Sequence, residues 1–121
     1  MYFSSPEELK RIVPLTEDGW SKEYLYEYLV WSCHSAFEDY IDDFFSKHTD
    51  DDELAELLFS FLLDEHYDGS DCQMGAAYYI AKLDRELLRK KKELLLQAQS
   101  SDVHWKRPFR TDEYPEWLNQ Q

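Results

Sequence analysis

Hydrophobic residues recur at three- and four-residue spacings along most of this chain, which is the period of an amphipathic helix. The longest such repeat covers residues 22–47 and follows Ser21, a good N-cap residue, so it predicts one helix of about 39 Å. Ser32 and Ser35 can compete for its backbone hydrogen bonds, which would place a kink there. The apolar positions of the repeat are Tyr24, Leu25, Tyr28, Leu29, Cys33, Ala36, Phe37, Tyr40, Ile41, Phe44 and Phe45.

Start and stop signals predict a short helix before this repeat. Ser5 and Pro6 form a helix start. Pro14 disfavours helical geometry in the residue before it, which ends this helix near Val13. Residues 16–19 then predict a turn.

Two more helices are predicted after the long repeat. The acidic stretch 49–53 suits a helix N-terminus because of capping and the macrodipole, and this third helix ends around residues 64–66. A turn at 68–69 leads into a fourth helix over Cys72–Gln99, whose small residues at 75–77 allow a neighbouring backbone to approach closely. The core face of the third helix is Leu54, Leu57, Leu58, Phe61 and Leu62.

These elements predict an all-α fold. Three glycines and four prolines are too few for a turn-rich β architecture. We expect a bundle of three to four helices, two of them long, in a single domain over residues 1–121. Residues 102–121, with two prolines and several aromatic residues, predict an irregular tail that folds back onto the bundle.

Composition and charge change this picture by pointing to a partner. A hydrophobic content of 43% excludes a disordered acidic chain. The formal net charge is −13, and residues 38–71 hold thirteen carboxylates against one lysine. Like charges this close repel, so the arrangement favours either a surface that meets a basic protein or a solvated face with helix-capping acids. The same charge argues against direct binding to nucleic acid or to anionic lipid.

The docking interpretation names specific residues. Carboxylates of the second and third helices would steer and contact the partner, and Trp31 or Tyr40 would anchor it, since aromatic residues beside charges are typical of interfaces. The predicted acidic contact residues are Glu38, Asp39, Asp42, Asp43, Asp50, Asp51, Asp52, Glu53 and Glu56.

Catalytic and metal-binding patterns do not support an enzyme. The chain has no His-Glu-x-x-His, no Glu-x-x-His and no Gly-rich phosphate loop. We therefore predict no catalytic residues, no cofactor and no metal site. Cys33 and Cys72 are expected to be reduced core thiols of a cytoplasmic protein, and no apolar run is long enough to span a membrane.

Small size, strong acidity and the absence of a cofactor motif together resemble bacterial immunity proteins, which neutralise toxins of contact-dependent or other polymorphic toxin systems. The resemblance is one of class and transfers no residue roles. It implies binding to one cognate toxin domain, often a nuclease with a basic cleft. The alternatives are a phage-type nucleic-acid mimic such as an anti-CRISPR protein, a metal-binding helical enzyme, or a regulatory helical domain.

Overall fold

The computed structural model describes residues 11, 13–32, 38–67, 71–101 and 107–109. Six α-helices and one small sheet lie within these ranges, which confirms a mostly helical chain. No helix among the described residues is long and apolar enough to cross a membrane. In chain order the elements are β1 (Leu15–Thr16), β2 (Gly19–Trp20), α1 (Lys22–Trp31), α2 (Glu38–Ser46), α3 (Asp52–Leu63), a 3-10 helix (Glu65–Tyr67), α4 (Asp71–Ile80), α5 (Arg85–Lys90) and α6 (Lys92–Gln99).

The predicted turn at 16–19 is confirmed, and it joins the two short strands. β1 and β2 are antiparallel, with Leu15 opposite Trp20 and Thr16 opposite Gly19. Gly19 has a φ of 108°, in the left-handed region that favours glycine. The Thr16 hydroxyl donates to the Gly19 carbonyl oxygen at 2.9 Å and fastens the turn.

Two predicted helix starts are confirmed by their caps. The Ser21 hydroxyl accepts from the Tyr24 backbone N–H at 3.3 Å, and an Asp51 carboxylate oxygen accepts from the Leu54 backbone N–H at 3.0 Å. α3 ends at Leu63, with Asp64 as its C-cap, just before the predicted end at residues 64–66. Its core-face residues are buried except for the half-buried Leu57.

As one uninterrupted helix, the prediction over 22–47 is wrong at Ser32, which lies in a turn after α1 ends at Trp31. This interruption falls where the kink was predicted. α2 is described from Glu38, and residues 33–37 lie outside the described part. The Ser32 hydroxyl donates to the Leu29 carbonyl oxygen at 2.6 Å. A short polar side chain that competes for backbone bonds is the cause we expected at this position.

The continuous fourth helix over 72–99 is also wrong, since three helices occupy it. After α4 the backbone N–H of Asp84 donates to the Thr49 carbonyl oxygen at 2.9 Å, which ties this break to the loop before α3. A second break falls at Lys91, which has φ −103° and ψ 25°. The Lys91 ammonium bonds both Asp52 and Glu56 on α3. Contacts with α3 therefore outweigh the helical preference of the sequence.

α4 is central to the core because it packs against both α1 and α3, and α6 also packs against α3. The predicted close approach at Gly75 is confirmed: a Cβ there would lie 2.6 Å from the Leu29 carbonyl oxygen of α1. Cys72 is a fully buried thiol, whereas Cys33 lies outside the described residues.

Both ends of the chain are described only in part. The predicted helix over 5–13 lies outside the described residues, apart from an exposed Arg11 and Val13. Of the tail, residues 107–109 fold back as predicted. Phe109 packs against the core, and its backbone N–H donates to Gln99 Oε1 at 3.3 Å. Trp105, Tyr114 and Trp117 lie outside the described part.

Candidate functional site

Aromatic side chains hold α2 on the rest of the molecule. The rings of Phe45 and Tyr79, from α2 and α4, lie with centroids 4.1 Å apart and planes tilted by 31°. Phe44 meets Tyr28 of α1 edge-on at 5.1 Å and Trp20 of β2 at 5.9 Å. Beside these ring contacts, α2, α3 and the C-terminal end of α4 border an open space.

A cavity of about 400 Å³ occupies that space. We call it the α2–α4 cavity. Its apolar part is formed by Phe45, Leu54, Leu58, Tyr79 and Leu83, and its polar rim by Asp42, Asp43, Ser46, Thr49 and Lys82. Two of the predicted contact residues, Asp42 and Asp43, thus border a cavity that the sequence did not reveal.

Hydrogen bonds fix the polar side of this rim. The Tyr79 hydroxyl donates to Asp42 Oδ1 at 2.6 Å, which orients a half-buried carboxylate. Asp43 Oδ2 lies 3.1 Å from Lys47 Nζ, but both side chains are more than two-thirds exposed, so this pair is weak. Lys82 Nζ lies 4.6 Å from the centroid of the Tyr78 ring, which is exposed on α4.

Two predicted contact residues at the start of α3 have structural contacts. Asp51 caps α3 with one carboxylate oxygen and accepts from Trp20 Nε1 with the other, at 3.0 Å. Glu53 Oε1 accepts the Trp20 backbone N–H at 3.2 Å. Both carboxylates therefore join the β1–β2 hairpin to α3.

Asp52 and Glu56 both bind Lys91. Asp52 Oδ1 lies 3.0 Å from Lys91 Nζ, and Glu56 also accepts from this ammonium. The Lys91 side chain is only 13% exposed, and the hydrogen bond that its ammonium donates to Glu56 raises the pKa of Lys91. The two carboxylates remain 66% and 56% exposed, so they keep a negative face toward solvent.

Of the other predicted contact residues, the structure describes the side chain of Asp50 but not those of Glu38 and Asp39. Asp50 is exposed in the turn between α2 and α3. Glu38 and Asp39 begin α2, but their side chains lie outside the described part.

The two predicted anchors, Trp31 and Tyr40, differ in how exposed their side chains are. Trp31 is half-buried against the core and hydrogen-bonds the Glu27 side chain, whose pKa is raised by burial. Tyr40 is 36% exposed, with its ring 6.4 Å from that of buried Tyr28, and the two hydroxyls share a hydrogen bond. Tyr40 is therefore the more accessible anchor.

Phe45, Tyr79 and Leu83 belong to the site and were not predicted for it. Each falls on an apolar position or beside one, so the sequence pattern assigns them to a core. One signal was available, because the adjacent aromatics Tyr78 and Tyr79 cannot both face the same core. The sequence could not show that Tyr79 meets α2, because its hydrogen-bond partner there, Asp42, is 37 positions away along the chain.

Among the described residues, no three His, Cys, Asp or Glu side chains converge on a point that could hold a metal ion. Comparisons with protein-family models, with curated proteins and with solved structures found no match. The described residues thus place exposed carboxylates beside an apolar cavity, a combination that can receive a cationic group on an apolar body.

Proposed function

We propose that this protein is a small acidic inhibitor of the immunity type, which binds and neutralises a cognate toxin through a carboxylate-rich face. This acidic face comprises α2, the turn after it and the first turns of α3. The partner is a basic protein domain, such as a nuclease whose cleft normally receives phosphates. Carboxylates opposite such a cleft steer association and occupy the place of the substrate.

The observation that carries this proposal is the exposure of the carboxylates that remain on the face. Asp43, Asp52 and Glu56 are 69%, 66% and 56% exposed, even though each lies beside a lysine. Asp50 is exposed as well. These four carboxylates outnumber the two lysines that contact them, so the face keeps negative charge for a partner.

The structure also separates contact residues from supporting ones. Asp51 and Glu53 bond the hairpin, and Asp42 bonds Tyr79, so charge reversal there would disturb the fold. Asp43 and Asp50 have no comparable structural contact among the described residues. They are the positions at which partner binding can be tested without loss of stability.

The test is a double variant, Asp43→Lys with Asp50→Lys, made in tagged protein and used to capture the partner from the source organism. The control is Glu65→Lys with Glu23→Lys, which makes the same charge change at exposed positions in the 3-10 helix and in α1, outside the face. We expect the parent and the control to retain a basic protein that salt releases. The test variant should bind it at least about tenfold more weakly.

A second readout concerns inhibition. The captured protein, expressed alone, should arrest growth, and co-expression of the parent chain should restore it, whereas the test variant should not. A partner that both double variants bind equally, or that salt does not release, would overturn the acidic-face proposal. A captured host nucleic-acid-binding protein that causes no arrest would instead favour the nucleic-acid mimic.

A further inference from the structure

The α2–α4 cavity is built like a ligand site rather than a packing defect. Its volume of about 400 Å³ falls within the roughly 300–1,000 Å³ that small-molecule sites span. Leu54, Leu58 and Leu83 supply aliphatic surface, and Phe45 and Tyr79 supply two aromatic rings. Such a lining favours an apolar body.

The polar rim selects the charge of the ligand. Asp42 is oriented by the Tyr79 hydroxyl through one carboxylate oxygen, Oδ1. Its other oxygen can accept a second bond without breaking the first, because a carboxylate has several acceptor positions. Asp43 adds a second negative charge on the same rim.

The Phe45 and Tyr79 rings line the cavity and pack on each other, with centroids 4.1 Å apart. A cation close to the face of a tyrosine or phenylalanine ring is attracted by the negative charge on that face. The Lys82 ammonium lies against the exposed Tyr78 ring, and the Lys47 ammonium lies 3.1 Å from Asp43 Oδ2. Asp42, whose described partner is the Tyr79 hydroxyl, is therefore the rim carboxylate best placed to receive a further cation.

We propose that the α2–α4 cavity binds a small organic cation, an ammonium carried on an arylalkyl or alkyl body. The ammonium would donate to Asp42 at the rim. The apolar body would lie inside the cavity, against the Phe45 and Tyr79 side chains on one wall and the lining leucines on the other. This site shares Asp43 with the acidic face, but the experiment that tests it needs no protein partner.

The test uses three probes that share one body: 4-phenylbutylamine, 4-phenylbutan-1-ol and 4-phenylbutyric acid. Each is titrated into the isotope-labelled full chain at pH 7 and followed by backbone amide shifts. We expect the amine to bind about tenfold more tightly than the alcohol, since a hydrogen bond to a charged group is worth that factor. The acid should bind more weakly still, and the shifts should cluster around residues 42–49 and 79–83.

Two variants locate the site. Asp42→Asn keeps an oxygen that can accept from Tyr79 and removes the charge, so it should lower amine affinity about tenfold. Ser46→Trp places a large side chain at the rim and should abolish binding. Ser60→Trp is its matched control, because both serines are exposed on helices and both hydroxyls donate at 2.7 Å to the carbonyl oxygen three residues earlier.

The result that overturns the proposal is equal binding of amine and alcohol, preference for the acid, or amine binding unchanged by Ser46→Trp. If Asp42→Asn does not fold, the two tryptophan variants still decide. Loss of amine binding in Ser46→Trp but not in Ser60→Trp supports the site whether or not a toxin partner is ever captured.

Discussion

The two sides of α4 are packed in opposite ways. Toward α1, Gly75 leaves so little room that a Cβ would lie 2.6 Å from the Leu29 carbonyl oxygen, and backbone meets backbone. Toward α2, the contact is made by the Phe45 and Tyr79 rings, and a cavity of about 400 Å³ remains beside them. One helix thus takes part in both the tightest and the loosest contact described here.

The difference teaches where a binding site can form in a small helical protein. Small residues let helices close up and exclude space, whereas large planar side chains keep helices apart at the cost of imperfect filling. The candidate site lies at the contact made by large planar side chains. Three substitutions test the difference between the two contacts of α4, and a fourth tests a buried charge on α1. They are taken from the largest expected effect to the smallest.

Phe45→Ala removes a ring that holds α2 away from α4. Phe45 is 4% exposed, so we expect a loss of about 3 kcal/mol, the low end for a buried phenylalanine because the site already borders a cavity. Urea unfolding at pH 7 measures it. Tyr78→Ala, an exposed aromatic on α4, is the control and should cost less than about 1 kcal/mol. Equal losses would mean that Phe45 does not support α2.

Gly75→Ala tests the tight contact. Alanine would gain about 1 kcal/mol in helix propensity, but the clash with Leu29 should turn this into a net loss of about 2 kcal/mol. Denaturant midpoints of the variant and the parent give the sign. A more stable variant would contradict close contact between α1 and α4.

A second substitution sharpens that result. The added Cβ would also lie 2.8 Å from the Ser32 hydroxyl oxygen, so Ser32→Ala combined with Gly75→Ala should recover part of the loss. Full recovery is not expected, because the Leu29 backbone oxygen cannot be removed.

Tyr79→Phe keeps the ring contact with Phe45 and removes only the hydrogen bond to Asp42. We expect a loss of about 1 kcal/mol, since water can reach the half-buried carboxylate and replace part of the bond. Tyr78→Phe on the exposed neighbour should be nearly neutral. Thermal unfolding of both variants provides the comparison, and equal effects would assign no stabilising role to the bond.

Glu27→Gln on α1 should have the smallest effect, and it depends on pH. Burial raises the pKa of Glu27 above its usual 4.5, so protonation favours the folded state and the charged form costs stability at higher pH. The variant should therefore be the more stable protein at pH 7. Its advantage should shrink as the pH falls toward 4.5, where the parent regains stability.

Urea midpoints at pH 7 and pH 4.5 test this sign. Glu65→Gln, the same substitution at an exposed carboxylate, is the control for the loss of one negative charge. An advantage that grows on acidification would contradict the assignment. The Trp31 indole can still donate to the glutamine oxygen, so the hydrogen bond is not the variable.

The sequence predicted features that depend on neighbours a few positions away. The caps at Ser21 and Asp51, the limits of α3 and the small residue at Gly75 are of this kind, since each uses local spacing or a single side chain. The breaks within 72–99 were missed because their causes are distant: Thr49 binds Asp84, and two residues of α3 bind Lys91.

In the candidate site, too, the local features could be predicted from the sequence and the contacts between distant residues could not. Counting charges located an acidic region, and Asp43 and Asp50 are exposed there. Counting could not show that Asp51 and Glu53 bond Trp20, or that Asp42 bonds Tyr79 beside a cavity. Carboxylates that look alike in the sequence therefore divide, after folding, into those that hold the fold and those that face solvent.

The contact between Trp20 and Asp51 also has a consequence for the order in which the chain folds. Asp51 accepts from the Leu54 amide three residues away, a partner that any nascent helix provides, and from the Trp20 indole, 31 residues away. Closing that loop costs entropy that grows with its length. We therefore expect the hydrogen bond between Trp20 and Asp51, which joins the hairpin to α3, to form after the rate-limiting step of folding. Trp20→Phe should then speed unfolding and leave the folding rate nearly unchanged.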